Sequence, residues 1–181
     1  MIKNIYCHKL KLDIPPLKNF NIKNITQPHV SINLEEINPE IKEWLDSLGI
    51  SVTWIEVFYR RPGNYGGIHS DGDKGDCAKI NWIYGGKGSG MNWYQVIDSK
   101  ALSRKSNFTV VNTGYIPYSV NEVKEVYSAK LTGPYLLQVG IPHSVFNPHE
   151  ERYCLCFLLK DKHGNHLPMS TAYNILNNYI I

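Results

Sequence analysis

Three residues of this 181-residue chain are of the types, and at the spacing, that could hold a metal ion. His69 and Asp71 form an H-x-D pair. On a β-strand residues i and i+2 point to the same face, so this pair sets an imidazole beside a carboxylate, as two neighbouring ligands require. His143 follows much later, in Gly140-Ile141-Pro142-His143-Ser144-Val145. Two His and one carboxylate on one face of a metal leave the opposite positions open. Arg152 then begins an apolar strand, Arg152-Tyr153-Cys154-Leu155-Cys156-Phe157-Leu158-Leu159. A buried cation without a partner is very costly, so an Arg in that setting calls for an anion, and a carboxylate held bidentately is its natural mate. Asn81 shares a face with Lys79 by alternation and is a candidate to reach the metal site or the substrate.

The same residues have plainer readings. Ser70, Gly72 and Asp73 are turn formers, so His69 and Asp71 also fit an Asx-type surface turn. Asp73 would replace Asp71 as a ligand if the strand ended early. His149, His163 and His166 read as polar loop residues. Trp82, Tyr84, Trp93 and Tyr94 flank a glycine-rich turn, where strand aromatics usually pack in the core. Trp82 and Trp93, with Tyr65, are the candidates for a substrate wall.

The elements that must position these residues are mostly strands. One helix is expected over roughly 38–48, with Pro39 near its start, Ile41, Trp44, Leu45 and Leu48 as its apolar stripe, and Gly49 at its end. After it the apolar period changes from 3.6 to 2. Strands are expected at 50–60, 68–71, 78–84, 91–97, 108–111, 122–130, 135–139, 143–146 and 152–159. Gly85-Gly86-Lys87-Gly88-Ser89-Gly90 joins two of them and opens no helix, so a hairpin turn is expected there and a phosphate cradle is not. Residues 1–14 read as extended, and the tail from 169 as a short closing helix. Many short strands after a helix suggest an antiparallel sandwich or barrel of jelly-roll type.

Composition agrees with one domain over 1–181, its core at about 50–160. Hydrophobic residues make up 43% and charged residues 19%, which excludes wholesale disorder. A formal net charge of +3 without a basic block gives no footprint for nucleic acid. No stretch approaches the ~20 apolar residues of a membrane span. The start shows no signal peptide, and the four cysteines form no CxxC pair, so free thiols in a reducing, cytoplasmic setting are expected. Exposed strand edges permit a monomer or a homodimer.

The order H-x-D, a distant His, and an Arg about ten residues on resembles the 2-oxoglutarate/Fe(II)-dependent oxygenases. Tyr59, Gly63 and Tyr65 before the pair resemble the approach of the prolyl-hydroxylase branch. The likeness runs over roughly 54–159. It implies a mainly β fold, a double-stranded β-helix of jelly-roll or cupin-like type, with a helix before the first core strand and a short C-terminal helix. It also implies Fe(II) held by His69, Asp71 and His143, with 2-oxoglutarate as cosubstrate and dioxygen as oxidant. Arg152 would grip the distal carboxylate of 2-oxoglutarate, with Lys79 as the runner-up because some family members use a strand lysine there, and Tyr59 would hydrogen-bond to the cosubstrate. The products would be succinate, carbon dioxide and an oxidised small molecule or peptide side chain. Related halogenases lack the carboxylate ligand, so Asp71 favours hydroxylation. A cupin-like metalloenzyme without 2-oxoglutarate and a non-catalytic binding module on the same barrel are the alternatives.

Overall fold

The computed structural model describes residues 4–19, 22–71, 75–108 and 114–181. Asp73 and the far end of the strand expected at 108–111 lie outside them. Twelve strands form: β1 (Cys7–Lys9), β2 (His29–Ile32), β3 (Ser51–Arg60), β4 (His69–Asp71), β5 (Ala78–Gly85), β6 (Gly90–Val96), β7 (Asn107–Phe108), β8 (Gly114–Pro117), β9 (Val123–Lys130), β10 (Gly133–Gln138), β11 (His143–Phe146) and β12 (Arg152–Lys160). Two α-helices frame them, α1 (Pro39–Ser47) and α2 (Met169–Leu176). The fold is therefore mainly β.

The strands make two antiparallel sheets of six. The larger runs β1-β10-β5-β12-β3-β2 and the smaller β7-β8-β4-β11-β6-β9. They face each other across a core that takes Met91 and Trp93 from one sheet and Leu137, Cys154 and Cys156 from the other. This is a jelly-roll sandwich; among the described residues it does not close into a barrel. A second apolar layer covers the outer face of the larger sheet, where Ile55, Val57, Ile80, Trp82, Leu155 and Phe157 meet the helices. β5 and β12 are thus buried on both faces and read as near-continuous runs, as central strands do.

The helix forms where its capping residues place it. The side chain of Asn38 accepts from Glu40 N, Pro39 occupies the first turn, and Ile41 and Leu45 are the buried stripe. β2 and β8 arise in segments not expected to be strands; each is four residues long and held by sheet pairing. The glycine-rich segment 85–90 is a correction. It does not turn a hairpin, because β5 and β6 belong to different sheets. Positive φ at Gly85, Gly86 and Gly88 lets the chain cross sharply from one sheet to the other. At Gly86 a Cβ would stand 2.9 Å from the side chain of Arg152, so the glycine also makes room for that arginine.

Candidate metal centre

β4 and β11 are neighbours in the smaller sheet, and His143 is paired in register with His69. Directly paired residues project to the same side of a sheet. Their rings lie 4.5 Å apart, centroid to centroid. Asp71, two residues after His69, returns to the same face, with Nε2 of His69 3.4 Å from its Oδ1. One ligand atom from each of His69, Asp71 and His143 falls within 4.8 Å of the others.

The backbone sets both imidazoles in one orientation. Nδ1 of His69 donates to Gly67 O at 2.8 Å, and Nδ1 of His143 to Ile141 O at 2.9 Å. A proton committed to a carbonyl at Nδ1 leaves Nε2 as the free lone pair, the usual outer hydrogen bond of a metal-binding histidine. Burial, and then the nearby His69, push His143 down to about 4, so it is neutral near pH 7. Burial is the largest influence on His69 and would lower it, but the hydrogen bond and charge of Asp71, with the bond to Gly67 O, together outweigh it and raise it. Burial opposes charge on Asp71, yet the Lys79 ammonium, His69 and His143 hold its carboxyl well below the usual range. Two neutralisable imidazoles and one firmly ionised carboxylate fit a divalent cation of the Fe(II) type.

A cavity of about 60 Å³ opens over these ligands and is lined by both sheets. Arg152, Asn81, Cys154 and Cys156 reach it from β5 and β12. Arg152 is 1% exposed, and its Nε and Nη2 have no protein partner. Asn81 donates to Cys154 Sγ at 3.3 Å, and its own Oδ1 is buried without a partner. The four cysteines are free thiols, and Cys154 and Cys156 lie 3.6 Å apart, sulfur to sulfur. The hydrogen bond from Cys156, together with Arg152, draws Cys154 down to about 6, against its burial.

Several expectations need correcting. Lys79 lines the cavity, but its ammonium is engaged by Asp71 Oδ2 at 2.8 Å and Glu56 Oε2 at 3.8 Å, so it is not a free anchor for a distal carboxylate. Tyr59 points away from the site, because Arg60 pairs with Arg152 and alternation sends Tyr59 to the other face. There its hydroxyl donates to Glu151 Oε1 at 2.6 Å and its ring packs on Tyr153. Trp82 also faces outward, against Phe157. Trp93 is beside His143 in register but fully enclosed, its Nε1 donating to Gln138 O at 2.7 Å. Tyr65 is 63% exposed and lines no cavity over the ligands. None of the three aromatic candidates forms a substrate wall.

The site also contains residues that motif reading passed over. Glu56, Phe58 and Arg60 alternate on β3 and share the inner face with Arg152, Cys154 and Cys156 through direct pairing. Phe58 and Arg60 line the cavity. Glu56 accepts from His29 Nε2 at 2.9 Å and completes a buried chain from His29 through Glu56 and Lys79 to Asp71. The available signal was two charged residues, Glu56 and Arg60, four apart on an otherwise apolar and aromatic strand.

No family model matches the sequence, and no curated protein gives a significant match. Solved structures are similar in fold at a distance. A recombinant oxalate oxidase in complex with glycolate is 11% identical at a TM-score of 0.39, the match covering 85% of this chain and 61% of that one. A second oxalate oxidase structure gives 11% and 0.39 over 91% of this chain and 73% of the other. EvdMO1 gives 11% and 0.39 over 78% and 37%. The chain thus spans about three-fifths of the first of these structures. No helix among the described residues is long and apolar enough to cross a membrane.

Proposed function

We propose that this protein is an oxidoreductase, a non-haem Fe(II)/2-oxoglutarate-dependent oxygenase that hydroxylates an unactivated C–H of a small molecule or peptide side chain. The observation that carries the reading is Arg152, a buried guanidinium that forms no ion pair with a carboxylate among the described residues and whose Nε and Nη2 have no protein partner, opening into the same cavity as His69, Asp71 and His143. A bound iron would supply dioxygen activation coupled to conversion of 2-oxoglutarate to succinate and carbon dioxide. The chain supplies the rest. His69 and His143 present Nε2 as donors, and Asp71 brings the negative charge. Lys79 restrains the outer oxygen of Asp71, leaving Oδ1 toward His69. Arg152 orients the cosubstrate through its distal carboxylate, with the Asn81 amide beside it. The apolar core between the sheets keeps bulk water from the reacting groups.

The test is anaerobic loading with Fe(II), addition of 2-oxoglutarate, exposure to air, and measurement of succinate. Wild type is expected to release succinate, and His69→Ala to lose it by about 100-fold or more. Metal-loaded protein that binds no 2-oxoglutarate would overturn the reading. A cupin-like metalloenzyme acting without 2-oxoglutarate is the second reading. The small volume of about 60 Å³ beside Arg152 favours it, since a compact anion fills that space more readily than a five-carbon dicarboxylate.

A further inference from the structure

The ligand group lies between two chambers. The smaller, of about 60 Å³, contains Arg152 and Asn81. The larger, of about 240 Å³, adds His29, Tyr115 and Pro117. Phe58, Arg60, His69, Asp71 and Lys79 border both. A molecule in the larger chamber would therefore touch His69 and Asp71 without bordering Arg152.

The walls of the larger chamber are flat. His29 stacks on Phe58 at 4.4 Å with 18° between the planes. The ring of Tyr115 stands edge-on to His69 at 6.3 Å. Such surfaces suit a ring or another flat apolar body. Of the polar groups at this boundary, Arg60 forms no ion pair among the described residues, whereas His69, Asp71 and Lys79 are engaged with one another. Nη1 of Arg60 donates to Asn64 Oδ1 at 3.0 Å, while its Nε is buried and unpartnered. Gly66 lets the guanidinium lie close to the backbone, since a Cβ there would come within 3.1 Å of Nη2. The group is thus oriented yet retains an unmet need for an acceptor.

Arg152 and Arg60 differ in the spaces they reach. Arg152 is enclosed and borders only the smaller chamber, whereas Arg60 reaches the larger one. Burial, and then repulsion from Arg152, hold Arg60 below its usual range, so it too gains from an anion.

We propose that the larger chamber binds a substrate with a flat or ring-shaped apolar body and a carboxylate, and that Arg60 receives that carboxylate. The proposal rests on the oxygenase reading for the role of the smaller chamber. The probe pair is benzoate and its neutral isostere benzamide. They are titrated into full-length protein loaded with Mn(II) and saturated with 2-oxoglutarate, and the relaxation of ligand protons by Mn(II) reports proximity to the metal. Benzoate is expected to bind near the metal about 10-fold or more tightly than benzamide. Arg60→Gln should abolish that preference while changing 2-oxoglutarate affinity less than about 3-fold, and Arg60→Lys should restore part of it.

Equal binding of the two probes, or no benzoate near the metal, would overturn the proposal. So would an Arg60→Gln variant that loses 2-oxoglutarate instead, since Arg60 would then be a second cosubstrate anchor. The wild-type comparison needs no variant to fold. If the wild type binds no 2-oxoglutarate, the parent reading fails separately. The benzoate preference measured with Mn(II) alone, and its loss in Arg60→Gln, then decides the chamber by itself.

Discussion

The two faces of the larger sheet are built from the same strands and are both buried, yet they differ in kind. The outer face of β3, β5 and β12 is Ile55, Val57, Ile80, Trp82, Leu155 and Phe157, sealed by the helices. The inner face is Glu56, Phe58, Arg60, Lys79, Asn81 and Arg152, with the two thiols. The outer set gains from leaving water and asks for nothing more. The inner set holds charge in a place where charge is expensive, and part of it is unpaired. Alternation along single strands therefore separates what holds the sheet together from what equips it to act.

The contrast is sharpest if one residue is removed from each face. Phe157→Ala is expected to cost about 3–5 kcal/mol by opening a cavity in the outer layer. Lys79→Met should cost a similar amount, about 3–5 kcal/mol, by leaving the buried Asp71 and Glu56 carboxylates without their cation. Denaturant unfolding at two pH values separates the causes. The loss in Lys79→Met should shrink in acid as those carboxylates take up protons, whereas the loss in Phe157→Ala should not.

A pH titration of the metal-free protein tests the next largest effect. His143 is held near 4 in the fold, against about 6.5 in an unfolded chain. As pH falls below 6.5 the unfolded chain binds the proton first, so stability declines from about pH 6.5 to about pH 4 and then levels. The contribution is about 3 kcal/mol. His69 is shifted the other way, so its effect falls above 6.5 and does not mask this window. Replacing His143 by Gln should flatten the slope between pH 6.5 and 4.

Arg152→Met should behave oppositely to any truncation on the outer face. Exchanging an unpaired buried guanidinium for an apolar chain of similar length is expected to raise stability by about 1–3 kcal/mol, while 2-oxoglutarate-dependent succinate release is lost. The smallest effect belongs to Tyr59, whose hydroxyl reaches Glu151 on the outer side. Tyr59→Phe is expected to leave 2-oxoglutarate affinity, measured by calorimetry, within about 2-fold of wild type.

Much of this was legible in residue order. Period 2 located β3, β5, β6, β9, β10, β11 and β12 to within a residue or two, because half-buried strands must alternate and central ones must be apolar throughout. His69, Asp71, His143, Arg152 and Asn81, singled out by type and spacing, share one cavity. Tyr59 and Trp82 take the outer face of their strands, which aromatic identity does not reveal. Trp93 takes the inner face but is sealed in the core, and Tyr65 lies in the exposed segment between β3 and β4.

Local sequence by itself determined the helix cap at Asn38, the strand periods and the i, i+2 juxtaposition of His69 with Asp71, since these depend only on nearby covalent geometry. Tertiary structure decided which sheet each strand joined, and so turned the glycine-rich segment from a hairpin into a corner. It also brought His143 into register with His69, and Arg60 opposite Arg152. The pairing of distant strands fixes which faces meet. That choice engaged Lys79 with two carboxylates and left two arginines facing cavities with guanidinium nitrogens that have no protein partner.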